Sequence, residues 1–350
     1  MRRPKPMADP VIVNGETSQV VTTAINTAVS TGAKGVFLPA GDYLFAATVM
    51  VPGGLTISGE PGATRIRGND PNRWQFRTTG DRVRFTGLTL IGWNDADWSV
   101  VHNSRGIQVL GQQHVRIDNC ELSGFNVAVQ CSDQAAVQVD GCSIHHNLRE
   151  SEGYGVMAVT GAYVLVMGCQ FAQNRRSLAT NGAISLNAEG TLWVHDPSIR
   201  KTHWEFIGNT IVGDDLTRYG QAAVDTHPGM DGSFLIEANQ FSNLQRGIAI
   251  RDGTGVIRRN TFEALTGAIE PVNIFWHHHN GIPVEGTMPR HIRLHENRQD
   301  GALVLPILGT AEQVEAEGEL LAPTATGNTM RQVMLRLVPM DASGTLGWGP

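Results

Sequence analysis

One eight-residue pattern recurs along the sequence: a short alternating run, a small or polar residue, then Cys or Asn, and an apolar residue two positions later. The copies are VRIDNCEL (115–122), VQVDGCSI (137–144), VLVMGCQF (164–171), WEFIGNTI (204–211), FLIEANQF (234–241) and GVIRRNTF (255–262). VRFTGLTL (83–90) is interpreted as an earlier copy with Leu88 in the Cys/Asn position, and IRLHENRQ (292–299) as a later one. Internal similarity of this kind is typical of a chain built from stacked repeats.

A second, shorter strand lies between these copies. It is seen in GIQVL (106–110), NVAVQ (126–130), GVMAV (155–159), AISLN (183–187), AVDTH (223–227) and GIAIR (247–251). A helix-free unit of about 21–30 residues cannot bury its apolar face alone, but stacking the units into a parallel coil buries it. The equivalent corner positions then lie above one another, with the amides and thiols of Asn209, Asn239, Asn260, Cys120, Cys142 and Cys169 in one column.

Composition agrees with a turn-rich globular chain and excludes several classes of protein. Among 350 residues there are 40 glycines and only 6% aromatic residues, so the core is expected to consist of aliphatic side chains. The net charge of −6 shows no excess of positive charge of the kind that nucleic-acid-binding proteins carry. The four cysteines form no CxxC pair, which argues against a zinc site.

The sequence offers no localisation signal. No apolar run approaches the roughly 20 residues of a membrane span, and no apolar segment of signal-peptide length follows the basic start of the chain. We therefore expect a soluble protein without a membrane partner, and the compartment stays open between cytoplasmic, virion-associated and extracellular with the leader absent.

The repeat pattern resembles the right-handed parallel β-helix of the pectate-lyase-like superfamily. TTAINTAVSTGAKGVFLPAGDYLF (22–45) looks like the capping helix and first coil of many polysaccharide-active members, phage tailspikes included. The resemblance implies an all-β, single-stranded right-handed parallel β-helix with a short N-terminal helical cap. Residues 1–20 are then an N-terminal extension, 21–300 the β-helix domain and 301–350 a C-terminal cap or extension. Many relatives trimerise, but no segment here indicates a homotrimer interface.

An acid and a histidine share one side of the strand AVDTH. Side chains alternate between the faces of a strand. The second and fourth positions of the short strands are apolar apart from Thr226, so they are predicted to face the interior, and Asp225 and His227 face outward. Neighbouring strands of a sheet lie about 4.8 Å apart, which predicts Asn187 on one side of His227 and Arg251 on the other.

The longest insertions flank the same strands. They are 174–182, 195–203 and 213–220, all rich in Arg, Asp, His or Tyr. Long loops in a compact repeat are usually functional, so they are expected to wall a substrate groove. Besides Asn187, the candidate substrate-binding residues are Arg175, Arg176, Tyr154 and His203.

This set of groups suits uronate chemistry. A histidine held by a carboxylate is a poised base, and an arginine can clamp a sugar carboxylate. We expect His227 to be the base, oriented by Asp225 or a loop carboxylate, and Arg251 with Asn187 to bind the substrate carboxylate. Tyr219, before Tyr154, is the candidate proton donor. DTHP (225–228) also resembles the D-P-H-D motif of the periplasmic mannuronan C5-epimerases, although only Asp225 and His227 match.

The alternatives differ in chemistry and in partner. Lyase and C5-epimerase are not distinguished, and an acidic polysaccharide or oligosaccharide is the expected partner in both cases. A glycoside hydrolase would need two carboxyl groups, which Asp214 or Asp215 could supply with Asp225 or Asp231. A non-catalytic glycan-binding or virion-spike β-helix is the third class. No cofactor is expected, with calcium at Asp214 and Asp215 as the alternative, and HHHN (277–280) is interpreted as a solvated loop rather than a metal site.

Overall fold

The structure, a computed structural model, describes most of the chain. The described residues are 9–93, 102–149, 152–182, 184–213, 222–227, 232–244, 246–263, 270–275, 289–304, 306–308, 311–322 and 333–335. Within these ranges the chain winds as a parallel β-helix, each coil passing in turn through sheet 1, sheet 2 and sheet 3. The all-β prediction is confirmed, with one helix among the described residues.

Sheet 1 is the largest of the three sheets. Its strands are Val11–Ile12, Gly35–Leu38, Thr56–Gly59, Arg84–Thr86, Val115–Asp118, Ala136–Asp140, Tyr163–Met167, His203–Ile207, Ser233–Glu237, Thr254–Arg258, Arg290–His295, Glu312–Ala316, Glu319–Ala322 and Val333–Leu335. The strands up to Glu312–Ala316 pair in parallel, and the last two pair antiparallel.

Sheets 2 and 3 complete each coil. Sheet 2 contains Gly41–Phe45, Thr64–Gly68, Thr89–Ile91, Glu121–Ser123, Ser143–His145, Gln170–Ala172, Thr210–Val212, Gln240–Ser242, Thr261–Glu263, Arg298–Gln299 and Ala302–Leu303. Sheet 3 contains Val49–Val51, Trp74–Thr78, Arg105–Leu110, Val127–Ser132, Tyr154–Ala158, Arg176–Thr180, Ala222–Thr226, Arg246–Ile250, Glu270–Ile274 and Ile307–Leu308.

The corner between sheets 1 and 2 explains the recurring Cys/Asn position. The residue before it has a positive φ, as at Gly141 (57°) and Gly208 (62°), and glycine adopts that conformation without the penalty of a Cβ atom. The next side chain then points into the interior. Backbone N–H of Cys169 donates to Oδ1 of Asn209 at 2.9 Å, and Nδ2 of Asn209 donates to Oδ1 of Asn239 at 3.0 Å.

The predicted column is confirmed, and it includes the later copy at 292–299. Asn239 donates to Asn260 at 2.9 Å, and Asn260 donates to Asn297 at 2.9 Å, so IRLHENRQ is a further copy of the repeat. In the N-terminal half, Cys142 N–H donates to Sγ of Cys169 at 3.4 Å. All four cysteines are buried free thiols.

The N-terminal cap is also confirmed. The α-helix Ser18–Thr31 begins after the N-cap Thr17, whose hydroxyl accepts from the N–H of Val20. Its apolar stripe, spaced as on one helical face, packs against the strands of the first coil and consists of Val21, Ala24, Ile25 and Ala28. The helix thereby covers an end of the coil that would otherwise expose apolar side chains.

The prediction for AISLN (183–187) is wrong. Ile184–Leu186 pairs antiparallel with Trp193–His195, so this segment is a hairpin outside the coil. The sheet 3 strand of this coil is Arg176–Thr180, which the sequence analysis had assigned to a loop. Arg176–Thr180 pairs with Tyr154–Ala158 on one side and Ala222–Thr226 on the other.

Candidate active site on sheet 3

In the strands of sheet 3 the alternation of inward and outward side chains is interrupted once, where two consecutive side chains face the core. This irregular step decides which residues face outward. Ala223 and Val224 are consecutive, yet both are buried in the main core. The outward side chains of this strand are therefore Ala222 and Asp225, followed by His227. The same step places Val127 in a separate cluster with Tyr154, so its predicted interior position is wrong.

Asp225 is a buried carboxylate held between two guanidinium groups. Its side chain is 3% exposed, and its Oδ2 lies 2.7 Å from Nη2 of Arg176, whose side chain is 4% exposed. Arg251 binds the same carboxylate in a bidentate manner, with Nε 2.8 Å from Oδ1 and Nη2 on Oδ2. Burial raises the pKa of Asp225, but the charges of Arg176 and Arg251 and the hydrogen bond from Arg251 hold it below its ordinary value overall.

His227 follows this strand and is fixed through both ring nitrogens. Nδ1 lies 3.1 Å from the carbonyl oxygen of Thr180, so Nδ1 carries the proton and donates it. Nε2 then accepts a hydrogen bond from Nη1 of Arg176 at 2.5 Å. Burial, supported by Arg176 and opposed by Asp225, lowers the pKa of His227 to about 3. The imidazole is therefore neutral at neutral pH.

Tyr154 and Arg175 extend the cluster by one strand. The hydroxyl oxygen of Tyr154 lies 3.4 Å from Nη1 of Arg176 and 3.5 Å from Nη1 of Arg175. The guanidinium of Arg176 also lies 5.6 Å from the centre of the Tyr154 ring, within range of a cation–π contact. The Tyr154 and His227 rings are 6.4 Å apart between centroids. We call Tyr154, Arg176, Asp225, His227 and Arg251 the sheet 3 cluster.

Of the predicted site residues that are described, the structure brings together Asp225, His227, Arg251, Tyr154, Arg175 and Arg176. Asn187 is not beside His227, because it closes the hairpin turn, where its Oδ1 accepts from the N–H of Thr191 at 2.9 Å. His203 belongs to sheet 1, another face of the coil, and contacts Ser233 and Glu205 there. Both positions correct the sequence analysis.

Asp225 and Arg251 make a contact that the sequence analysis missed. Arg251, which is predicted to bind a substrate carboxylate, also binds Asp225. The sequence did hold a signal for the partner strand, since RSLAT (176–180) follows YGVMA (154–158) at 22 residues, the shortest spacings of the main repeat being 21 and 22.

Several predicted residues lie outside the described ranges. They are Tyr219, Asp214, Asp215, Asp231 and the HHHN segment at 277–280. Over the part of the chain that is described, no three His, Cys, Asp or Glu side chains are grouped as metal ligands. In the same part, no helix has the length and apolar character needed to cross a membrane.

Comparisons with known proteins agree with this architecture. A comparison with curated protein sequences gives no significant match. Among solved structures, the alginate lyase from Paenibacillus sp. str. FPU-7 superposes with a TM-score of 0.59 at 14% identity, covering 87% of this chain and 99% of that chain. The exopolygalacturonase from Thermotoga maritima gives 0.55 at 10% identity, covering 96% and 97%.

A viral protein is similar as well. ORF18 of Geobacillus virus E2 gives a TM-score of 0.53 at 12% identity, covering 94% of this chain and 65% of that chain. At such identities these likenesses show the fold. The family profile described as "Right handed beta helix region" matches residues 78–287. The chain therefore belongs to the right-handed β-helix family.

Proposed function

We propose that the protein acts on an acidic, uronate-containing polysaccharide by proton abstraction at the sheet 3 cluster, as a lyase or a C5-epimerase. The observation that carries this proposal is a neutral histidine in contact with Arg176, beside a carboxylate that also binds Arg251 on the neighbouring strand. The fold shared with carbohydrate-active enzymes is compatible with it, but the site supplies the argument.

The cluster suits a substrate carboxylate. Among the described residues, three guanidinium groups, those of Arg175, Arg176 and Arg251, lie within the cluster or beside it. Arg251 uses Nε and Nη2 on Asp225, and its Nη1 makes no hydrogen bond in the described part of the chain. A guanidinium that already has one side fixed can bind a second carboxylate at little cost in side-chain entropy.

His227 is the proposed base. A carboxylate that binds Arg176 competes for Nη1 and thereby frees the Nε2 lone pair, which then takes the proton from C5 of the uronate. The electron pair left on C5 is delocalised into the substrate carboxylate, whose growing charge the arginines stabilise. The imidazolium formed at His227 is stabilised in turn by the charge of Asp225, which favours the protonated ring.

Among the described residues Tyr154 is the proposed proton donor, and the first candidate, Tyr219, lies outside them. In a lyase the C4–O bond breaks as the double bond between C4 and C5 forms, and the Tyr154 hydroxyl gives its proton to the leaving oxygen. In an epimerase the C4–O bond stays intact, and a proton returns to C5 from the opposite face. The two reactions share the first step and differ in where the second proton goes.

A hydrolase is less well supported by this cluster. Such an enzyme needs a carboxylic acid whose pKa is raised, so that it is protonated at working pH. The pKa of Asp225 is lowered, and both its oxygens are bound by arginine. Asp225 is therefore suited to positioning the arginines.

The test is incubation with alginate and with polygalacturonate, following ultraviolet absorbance of unsaturated uronate, reducing ends, and deuterium incorporation at C5 in D₂O. Unsaturated product indicates a lyase, and deuterium without cleavage indicates an epimerase. His227→Ala should lower turnover on the order of 10²- to 10⁴-fold, and Arg251→Ala should raise KM and lower kcat. His145→Ala is the matched control, because this half-buried histidine contacts Glu121 on sheet 2.

Two outcomes would overturn the proposal. One is near wild-type turnover in folded His227→Ala and Arg251→Ala proteins. The other is release of reducing ends with neither unsaturated product nor deuterium at C5, which would assign the protein to the hydrolases. Glycan binding with none of the three signals would favour a non-catalytic β-helix.

A further inference from the structure

A second concave surface lies on the outward face of sheet 1, away from the sheet 3 cluster. It is a depression of about 320 Å³, lined by His114, Arg116, Ala136, Gln138, Tyr163 and Leu165. Its volume is at the lower end of the range for small-ligand pockets. It shares no residue with the sheet 3 cluster, because its lining comes from three successive strands of sheet 1.

The depression exists because one strand lacks a large side chain. Ala136 pairs with Tyr163 on the next strand, and His114 immediately precedes Val115, which pairs with Val137. The small side chain of Ala136 therefore lies on the strand between the chain positions of His114 and Tyr163, and all three residues line the depression. Neighbouring strands are about 4.8 Å apart, so the missing side-chain bulk at Ala136 leaves a slot beside the Tyr163 ring that can take a flat ligand.

Tyr163 is fixed in place on the far side of this slot. Its side chain is exposed by 42%, and one face of its ring stacks on His203 with the centroids 4.8 Å apart and the planes 24° from parallel. Its hydroxyl donates to Oε1 of Glu205 at 3.1 Å. His203 is itself held by Ser233 at 2.7 Å. A ring already fixed in this way loses little side-chain entropy when a ligand stacks on its free face.

The charges around the slot decide what kind of ligand fits. Arg116 is bound by Asp118 at 3.2 Å and by Asp140 at 2.8 Å, so its charge is neutralised locally. Asp118 also accepts both guanidinium contacts of Arg84, and Glu205 adds a further carboxylate beside Tyr163. The described groups near the slot thus carry more negative than positive charge, which disfavours an anionic sugar.

We propose that this depression binds a neutral sugar unit of a polysaccharide, stacked on Tyr163. One face of a pyranose ring consists of C–H bonds whose partial positive charge suits the negative face of an aromatic ring. Leu165 supplies apolar contact, and the Gln138 amide and the Arg116 guanidinium lie where they can bind ring hydroxyls. This site is separate from the proposed uronate chemistry and does not depend on it.

The experiment is affinity electrophoresis of the full chain in native gels containing hydroxyethyl cellulose, dextran or galactomannan, with alginate as the acidic comparison. We expect retardation by at least one neutral polymer. Tyr163→Ala removes the platform and Ala136→Phe fills the slot, and each should weaken that retardation about tenfold, as expected for loss of a stacked ring. Ala136→Ser, which leaves the slot open, is the matched control.

The outcomes separate this proposal from the previous one. His227→Ala should lower turnover of a uronate polymer on the order of 10²- to 10⁴-fold and leave retardation by the neutral polymer unchanged. Tyr163→Ala should weaken retardation by the neutral polymer and leave turnover of short acidic oligosaccharides unchanged. The proposal is overturned if no neutral polymer retards the protein, or if Tyr163→Ala and Ala136→Phe, shown to be folded by circular dichroism, are retarded as strongly as the wild type.

Discussion

Nη1 of Arg176 lies 2.5 Å from Nε2 of His227, although the two residues are 51 positions apart in the sequence. The parallel coil brings them together, because Arg176–Thr180 and Ala222–Thr226 are adjacent strands of sheet 3. In this arrangement the only basic lone pair of the neutral imidazole is occupied by an arginine. The proposed base is thus covered until a group with more affinity for the guanidinium arrives.

The first prediction concerns stability against acid. The folded pKa of His227 is about 3, below the ordinary value of 6.5. Between those values the unfolded chain binds a proton that the folded protein does not, so stability is fully present above pH 6.5 and is lost as the pH falls toward 3. The slope from this one group is at most about 1.4 kcal/mol per pH unit. Asp225, whose pKa is also lowered, adds a further loss once the pH falls below its ordinary value of 3.8.

The measurement is the free energy of unfolding in urea from pH 7 to pH 4. His227→Gln retains a donor for Thr180 and an acceptor for Arg176 but does not titrate, so its profile should be flatter than that of the wild type. A profile of His227→Gln parallel to the wild-type profile would contradict the low pKa.

The second prediction concerns the buried ion pairs. Asp225→Asn removes the negative charge between Arg176 and Arg251 while keeping the shape of the side chain. Because a buried charge without its partner is costly, we expect a loss on the order of 3 kcal/mol in the free energy of unfolding. Asp42→Asn is the matched control, since the pair of Asp42 with Arg65 is exposed and should contribute little. Equal small losses in both variants would refute this prediction.

The third prediction concerns the amide column. Asn239 accepts from Asn209 and donates to the carbonyl of Phe206 at 2.8 Å and to Asn260. Asn239→Ala leaves buried groups without partners at about 1–3 kcal/mol each. Asn239→Cys should cost less, because Sγ of Cys169 already accepts a backbone N–H in this column. Thermal melts compare both with the exposed control Asn72→Ala; a larger loss for Cys than for Ala would contradict the argument.

The fourth prediction tests the irregular step in sheet 3. A Cβ atom at Gly247 would lie 2.5 Å from the Phe262 ring and 2.6 Å from the carbonyl oxygen of Pro271. Gly247→Ala should therefore lower stability by about 1–3 kcal/mol through overpacking. Ala223 occupies the same position one strand earlier, so Ala223→Gly is the reverse control and should cost less than about 1 kcal/mol. Chemical denaturation measures the free energy of unfolding of both variants. An unchanged or more stable Gly247→Ala protein would show that the core around residue 247 accommodates a Cβ atom.

The fold could be predicted from the sequence because the corner of each coil needs the same two kinds of residue, which therefore recur along the chain. Each copy needs a residue that tolerates positive φ and then a side chain that satisfies the stacked position, and these needs recur at Cys120 and at Asn260 alike. The pairing of sheet 3 was less accessible. Both AISLN and RSLAT fit a short strand, and only the packing of neighbouring coils selects the second.

The site could be predicted in part. Asp225 and His227 were identified correctly as sharing one face, because alternation within a strand is local. Their partners depend on which strand is adjacent. Because 183–187 was taken as the adjacent strand, Asn187 was predicted beside His227, where the structure has Arg176. The contact of Arg251 with Asp225 could not be predicted from the spacing of the repeats, since it depends on how the long Arg251 side chain bends toward the neighbouring strand of sheet 3.

The corner column contains thiols up to Cys169 and amides from Asn209 onward, so the contacts between neighbouring coils differ in strength between the two halves of the solenoid. In a linear array, stability is a sum of unit terms and nearest-neighbour couplings. The C-terminal couplings include a side-chain hydrogen bond at every step from Asn209 to Asn297, while the N-terminal ones rely on weaker sulfur contacts. We therefore expect unfolding that starts from the helix-capped end to meet stronger couplings between coils once it passes Cys169.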